Sequence, residues 1–174
     1  VSNNLYEIAE EREWTNVDED GEAWDENFRS WKFSDSNDSS AQPFATSISF
    51  SFWDGATDFD VTWEYDTNSN SYKRVMGGES HIDFETKEQI SAKNVVVQLT
   101  KEIGPVDEHK HLLYETIGEG DALIFKNGEA IDGTWKKAKR TSRTIYYDEN
   151  GDEVEFVPGQ IWIEIVPKGN TINY

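Results

Sequence analysis

The sequence predicts a mainly β fold, either a single antiparallel β-sandwich or a partly closed barrel, with a short N-terminal helix and arm. Two Asn-Gly dipeptides, at 127–128 and 150–151, lie between apolar-rich runs, as in β-hairpins. Several segments alternate apolar and polar residues, which is the period of a strand with one wet face. Aromatic residues make up 13% of the chain, and flat rings pack well on pleated sheets.

The N-terminal part predicts a helix followed by an acidic arm. Residues 3–12 place Leu5 and Ile8 on one helical face. Residues 15–27 are polar and typical of a loop, and residues 34–43 (SDSNDSSAQP) have the composition of a linker. We therefore predict two parts: a helix and interdomain arm over 1–43, and a β-rich domain over 44–174.

Strands follow in close succession along this second part. Residues 45–53 and 58–66 alternate, and the wet face of the first run carries Ser47, Ser49 and Ser51. Three consecutive valines within 94–100 predict a strand buried on both faces. In the last strand, 160–166, Glu164 falls opposite the isoleucines. The other predicted strands are 71–76, 80–84, 111–117 and those of the two hairpins.

Composition excludes several classes of function. The formal net charge of −19 argues against direct binding of nucleic acid, which needs a basic face. Without cysteine there is no disulfide, cysteine nucleophile or thiolate zinc site. No apolar run approaches the length of about 18 residues that a membrane helix needs, so we expect a soluble fragment. If the native protein is exported or anchored, we expect the signal for this to lie upstream of the fragment.

The best polar cluster comprises Tyr72, Arg74, His81, Asp83 and Asn94. If the strands at 71–76 and 80–84 pair, His81 meets Arg74 or Tyr72 across the ladder. We expect His81 and Asp83 to form a structural hydrogen-bonded pair. The alternative is that Asp83 orients the imidazole as a base or a metal ligand. The sequence contains no serine elbow, no metal-ligand spacing and no phosphate loop beside the cluster, so we predict no catalytic residue, metal or cofactor.

A basic patch follows the first hairpin, with five bases within eight residues in an otherwise acidic chain: Lys136, Lys137, Lys139, Arg140 and Arg143. The preferred interpretation is a solvated hairpin arm whose charges discourage aggregation at the sheet edge. The alternative is a patch that contacts phosphate groups of an envelope polymer, lipid headgroups or an acidic partner.

A series of short motifs resembles the C-terminal domain of the YerB-like bacterial lipoprotein family, a domain of unknown function. These motifs are YKR at 72–74, GESHID at 78–83, AKNVVVQ at 92–98, GEGDA at 118–122, residues 128–136, DENG at 148–151 and PGQIWI at 158–163. The resemblance implies an extracytoplasmic domain, membrane-anchored in the full-length protein through a segment absent from this chain. The family has no established reaction.

From these observations we expect a non-catalytic interaction domain of a cell-envelope lipoprotein. The predicted binding surface is Tyr72, Arg74, His81, Asp83 and Asn94, with Trp135 and Lys136 beside it. Its partner would be an unidentified protein or an anionic envelope polymer. Two alternatives stay open: a hydrolase or transferase acting on cell-wall glycan or peptide through His81 and Asp83, and a structural spacer for a missing N-terminal domain.

Overall fold

The structure is a computed structural model that describes residues 2–17, 20–21, 23, 26, 28–34 and 44–174. It divides into two compact units, residues 1–30 and 31–174. The predicted linker lies outside the described residues except for Ser34. The predicted division between residues 43 and 44 stays a prediction.

The first unit contains a helix, α1 (Ser2–Glu11), close to the bounds that the sequence predicts. The amide of Trp14 donates to the carbonyl of Ala9 at 2.8 Å just beyond the last helical residue. The Arg12 guanidinium lies 4.9 Å from the centre of the Trp14 ring. A single antiparallel bridge joins Val17 to Ala23.

The second unit is built from strands, with one turn of 3-10 helix at Thr57–Phe59. The strands are β1 (Lys32–Phe33), β2 (Ser47–Phe50), β3 (Val61–Asp66), β4 (Ser71–Met76), β5 (Glu79–Ser80), β6 (Ser91–Ala92), β7 (Asn94–Thr100), β8 (Glu102–Ile103), β9 (Leu113–Tyr114), β10 (Gly118–Lys126), β11 (Glu129–Lys137), β12 (Ile145–Asp148), β13 (Glu155–Phe156) and β14 (Ile161–Pro167).

Two five-stranded sheets form the body of this unit. The first sheet has the order β2-β3-β4-β5, with β6 also paired to β4. The second sheet has the order β12-β11-β10-β7-β14, in which β14 runs parallel to β7. Two small sheets accompany them, β1 with β13 in parallel and β8 with β9 in antiparallel pairing. The mainly β prediction is confirmed, and none of the sheets described closes into a barrel.

One core lies between the two large sheets. It joins side chains of β2, β3 and β4, such as Ile48 and Trp63, to side chains of β7, β10 and β14, such as Phe125 and Val166. A second core covers the opposite face of the second sheet, where Ile124, Trp135 and Phe156 pack together. The second sheet is therefore buried on both faces. This explains the run Val95, Val96 and Val97, all fully buried as the sequence predicts.

Both predicted Asn-Gly turns are present. Asn127 and Gly128 have φ of 55° and 77°, the left-handed pair that a two-residue hairpin loop needs, and Lys126 pairs with Glu129 across it. At the second turn Gly151 has φ of 84°. There the Asp148 carboxylate accepts the amides of residues 150 and 152.

Four predicted strands are shorter in the structure than in the sequence pattern. The run 45–53 gives only β2, and the run 58–66 gives β3, which begins after the 3-10 turn. The run 80–84 gives β5, which ends at Ser80, and the run 111–117 gives only the two residues of β9. A tight loop follows β5 and another precedes β9, and in each loop an aspartate side chain, Asp83 or Asp107, accepts neighbouring backbone amides. These side-chain bonds compete with the sheet ladder.

Candidate functional site

A buried ion pair joins the two large sheets. Arg74 on β4 donates through Nε to Glu164 Oε1 on β14 at 3.1 Å, and both side chains are only 5% exposed. The same carboxylate oxygen accepts the indole N–H of Trp63 at 3.1 Å. Glu164 thus meets two donors in the core, and this is the arrangement that makes a buried carboxylate tolerable.

The Arg74 guanidinium has further neighbours on its other sides. Its central carbon lies 5.2 Å from the ring centre of Trp162 and 5.8 Å from that of Trp63. Its Nη1 contacts His81 Nδ1 at 2.5 Å and Met76 Sδ at 3.4 Å. The predicted approach of His81 to Arg74 across paired strands is therefore confirmed. Since the guanidinium can only donate, the contact requires His81 Nδ1 to accept and its ring to be neutral.

Electrostatics favour the same neutral imidazole. Burial lowers the pKa of His81, the positive Arg74 lowers it further, and Glu164 opposes both. The backbone amide of His81 donates to the Arg74 carbonyl at 2.9 Å, which holds the two residues in register. His81 is thus a half-buried acceptor for a structural arginine.

Asp83 has other partners than His81. Its Oδ1 accepts the amides of Glu85 and Thr86 at 3.1 and 2.7 Å and the Thr86 hydroxyl at 2.9 Å. The hydrogen bonds from Thr86 contribute most to lowering the pKa of this carboxyl. Within residues 44–174 no hydrogen bond joins Asp83 to His81, so the pair expected from the sequence, catalytic or structural, is not formed.

Three other predicted site residues are buried and hold backbone groups. The Tyr72 hydroxyl accepts the amide of Gly128 at 3.1 Å, and burial raises the pKa of Tyr72. Asn94 donates to the Val157 carbonyl at 2.9 Å and accepts the Val157 amide at 2.8 Å. The Trp135 indole lies in the second core and donates to a backbone carbonyl. Because their rings are enclosed, Tyr72 and Trp135 do not offer the flat stacking surface that the sequence suggested.

Lys136 is exposed and lies 3.1 Å from the Glu119 carboxylate. Of the seven predicted residues, the structure brings Arg74 and His81 into contact and assigns Tyr72, Asn94 and Trp135 to separate structural hydrogen bonds. Their role in binding a partner stays a prediction.

The sequence interpretation missed Glu164, Trp63 and Trp162, which complete the surroundings of Arg74. Alternation separated Glu164 from the isoleucines but did not predict that its side chain is buried. A signal was available: Arg74 shares a strand face with Tyr72 and Met76, and a cation on such an apolar face needs a buried acid.

A cleft of 740 Å³ lies elsewhere, along the outer side of β2 and β3 and the chain after β14. Its lining includes hydroxyl, amide and carboxylate side chains together with Trp53.

Across the ranges that the structure describes, no group of three or more His, Asp or Glu residues is arranged to hold a metal ion. Among the same residues, no helix has both the length and the apolar character needed to cross a bilayer.

Comparison with known proteins supports the resemblance. Residues 48–163 match the family described as "Protein of unknown function (DUF3048) C-terminal domain". The chain is 31% identical over 108 residues to the Bacillus subtilis (strain 168) protein named "Putative lipoprotein YerB", covering 62% of this chain and 31% of that protein. The crystal structure of YerB from Bacillus subtilis superposes with a TM-score of 0.70 at 20% identity.

That alignment covers 99% of this chain and 54% of the YerB chain, so this chain spans about half of the protein in that crystal structure. The fold likeness extends over nearly the whole chain, whereas the family match covers the sheets from β2 to the first part of β14. This chain therefore belongs to the DUF3048 family and contains its C-terminal domain.

Proposed function

We propose that this chain is a non-catalytic, extracytoplasmic interaction domain of an envelope lipoprotein. One contrast carries the proposal. The polar residues that the sequence singled out for chemistry, such as Arg74 and Asn94, are occupied by internal bonds. Five polar residues that line the cleft beside β2 and β3, among them Ser49 and Asp60, have no internal side-chain partner in the described part of the chain. An extracytoplasmic location is supported by the name of the lipoprotein YerB, to which this chain is related.

The hydrolase alternative gains little from the geometry. It needs His81 to act as a base that a carboxylate orients. The Asp83 carboxylate instead accepts amides of its own loop, and His81 Nδ1 faces the Arg74 guanidinium. The spacer alternative needs no free polar surface at all, and the cleft is the feature that it leaves unexplained.

Co-sedimentation distinguishes the three functions. The purified chain is incubated with sacculi and with membranes of Bacillus subtilis, and the bound fraction and the soluble products are measured together. We expect saturable retention on one of the two fractions, with no glycan or peptide fragment released. A folded protein of similar net charge serves as the control for non-specific adsorption.

Two outcomes would contradict this proposal. Release of soluble wall fragments by the purified chain, abolished by His81→Ala, would establish the hydrolase alternative. Retention no greater than that of the acidic control on either fraction would leave the spacer role as the better account.

A further inference from the structure

The cleft beside β2 and β3 has the size and the preformed walls of a ligand site. Its volume of 740 Å³ falls within the range of about 300–1,000 Å³ in which small-molecule sites lie. One wall is the segment after β14, which folds back onto β2. There Ser49 and Asn173 exchange both backbone hydrogen bonds, at 2.8 and 2.9 Å. The side-chain amide of Asn170 adds two further hydrogen bonds by donating to the carbonyls of Ser51 and Phe52.

An exposed indole forms part of the lining. Trp53 is 41% exposed although rings flank it, with the Phe52 centroid at 5.6 Å and the Phe59 centroid at 5.9 Å. These neighbours restrain its orientation without covering it. An aromatic ring fixed at the border of a polar cleft offers a stacking surface for the apolar face of a ligand.

The rest of the lining is rich in groups that can bond a polyhydroxylated ligand. Hydroxyls come from Ser49, Ser51 and Thr62, which lie on the wet faces of β2 and β3 or just beyond β2. Carboxylates come from Asp54 and Asp60. Within the described residues none of these five side chains has a hydrogen bond or ion pair to another part of the protein. Thr62 and Asp60 are half-buried, and since no protein group in the described residues bonds their side chains, these are available to a ligand.

The charge of the lining selects among ligands. Among the described residues, no Lys, Arg or His lines the cleft, whereas Asp54, Asp60 and Glu102 do. Tyr114 donates to Glu102 at 2.8 Å, which holds this third carboxylate in place. A phosphate or carboxylate polymer would meet like charge without a compensating cation. A neutral sugar ring instead presents one apolar face for the indole and a rim of hydroxyls for the carboxylates and hydroxyls of the cleft.

We propose that this cleft binds a neutral carbohydrate chain, through stacking on Trp53 and hydrogen bonds to Asp60, Asp54 and the hydroxyls of β2 and β3. The inference rests on the proposed interaction function and names its ligand class. This ligand differs from an anionic polymer, for which the described lining of the cleft offers no cation.

Calorimetric titration with a soluble tetramer of β-1,4-linked N-acetylglucosamine tests the proposal. We expect saturable binding that Trp53→Ala weakens by about tenfold, as the loss of a stacking contact implies. Asp60→Ala should weaken it several-fold. Phe84→Ala removes a ring that is 80% exposed and lies outside the cleft lining, and it should leave the affinity unchanged. If Trp53→Ala disturbs the fold, Trp53→Phe combined with Asp60→Asn keeps the test possible.

Two further ligands separate the alternatives. A tetramer of galacturonic acid should not bind. An end-blocked tetra-alanine should give no more heat than an injection of buffer. The proposal is overturned if the neutral tetrasaccharide does not bind at millimolar concentration, if Trp53→Ala and Asp60→Ala bind it like the parent, or if only the peptide binds. Retention on sacculi or membranes that persists in Trp53→Ala and in saturating tetrasaccharide would keep the interaction function while rejecting this cleft as its site.

Discussion

Replacement of Arg74 by methionine tests whether the ion pair between the sheets is a structural element. The change keeps an unbranched side chain but removes the charge that faces Glu164. The carboxylate, 5% exposed, would retain the Trp63 indole as its donor and lose its counter-charge. Breaking a buried pair in this way costs about 3–5 kcal/mol of the free energy of unfolding. The ring contacts of the guanidinium add roughly 0.5–2 kcal/mol.

The double variant makes the prediction sharper. Arg74→Met combined with Glu164→Met leaves no buried charge in this part of the core and fills the space with apolar atoms. Such replacements are neutral or stabilising by about 1–4 kcal/mol in other buried pairs. We therefore expect each single variant to be destabilised by several kcal/mol and the double variant to be close to the parent. The coupling energy, which is the sum of the two single losses minus the loss in the double variant, is then about 6 kcal/mol or more.

Urea unfolding followed by tryptophan fluorescence measures these quantities from the midpoint and slope of the transition. The exposed pair Lys101–Glu115, with side chains 67% and 49% exposed, is the matched control. Lys101→Met should change stability by less than about 1 kcal/mol, as for other surface pairs. If Arg74→Met costs no more than this control, or if the double variant is as unstable as the sum of the single ones, the reasoning about the buried pair is wrong.

Three further perturbations follow from other contacts. Gly133→Ala places a Cβ 2.1 Å from the Tyr147 backbone oxygen. We expect this overpacking to lower the free energy of unfolding, measured with urea, by at least roughly 1–3 kcal/mol. Because the pKa of His81 is lower in the folded protein than in the unfolded chain, the unfolded chain takes up a proton at a higher pH than the folded protein does. Thermal stability should therefore fall as the pH drops below about 6.5 toward the pKa of folded His81. Asn94→Ala removes both bonds to a backbone amide and carbonyl in the core and should cost about 2–4 kcal/mol in the same unfolding assay.

Each of these three predictions has a control variant and an outcome that would contradict it. Gly151→Ala adds a Cβ into open space and bears only the strain of φ +84°, so it should cost less than Gly133→Ala. His81→Gln should flatten the acid side of the stability profile relative to the parent, and an unchanged profile would exclude His81 as its source. Asn68→Ala alters an exposed turn, and a cost equal to that of Asn94→Ala would deny Asn94 its structural role.

The local part of the fold could be predicted because it depends on neighbouring residues. The turn at Asn127 follows from two residues that tolerate left-handed backbone, and β7 follows from its run of valines. Which element packs on each face of a strand depends on residues that are distant in the sequence. Alternation assigned Glu164 to the opposite face from the isoleucines of β14, but only the position of the first sheet shows that this face is also buried.

The candidate site shows the same limit. His81 and Arg74 meet because neighbouring strands pair, and neighbouring pairing is the part of topology that sequence order suggests. The cleft combines residues near 50, near 60, at 102 and near 170. No local sequence pattern predicts that these four segments lie together, although the serines of β2 were correctly assigned to a wet face.

The parallel pairing of β14 with β7 has a consequence for synthesis on the ribosome. Glu164 is supplied by the last strand, some 90 positions after the arginine that it neutralises. Until that strand emerges, Arg74 lacks its carboxylate partner, and β7, which has a neighbour on both sides in the complete sheet, has one unpaired side. Nascent chains that stop before this strand should therefore be readily degraded, and resistance to proteolysis should be acquired only after residues 161–167 have been made.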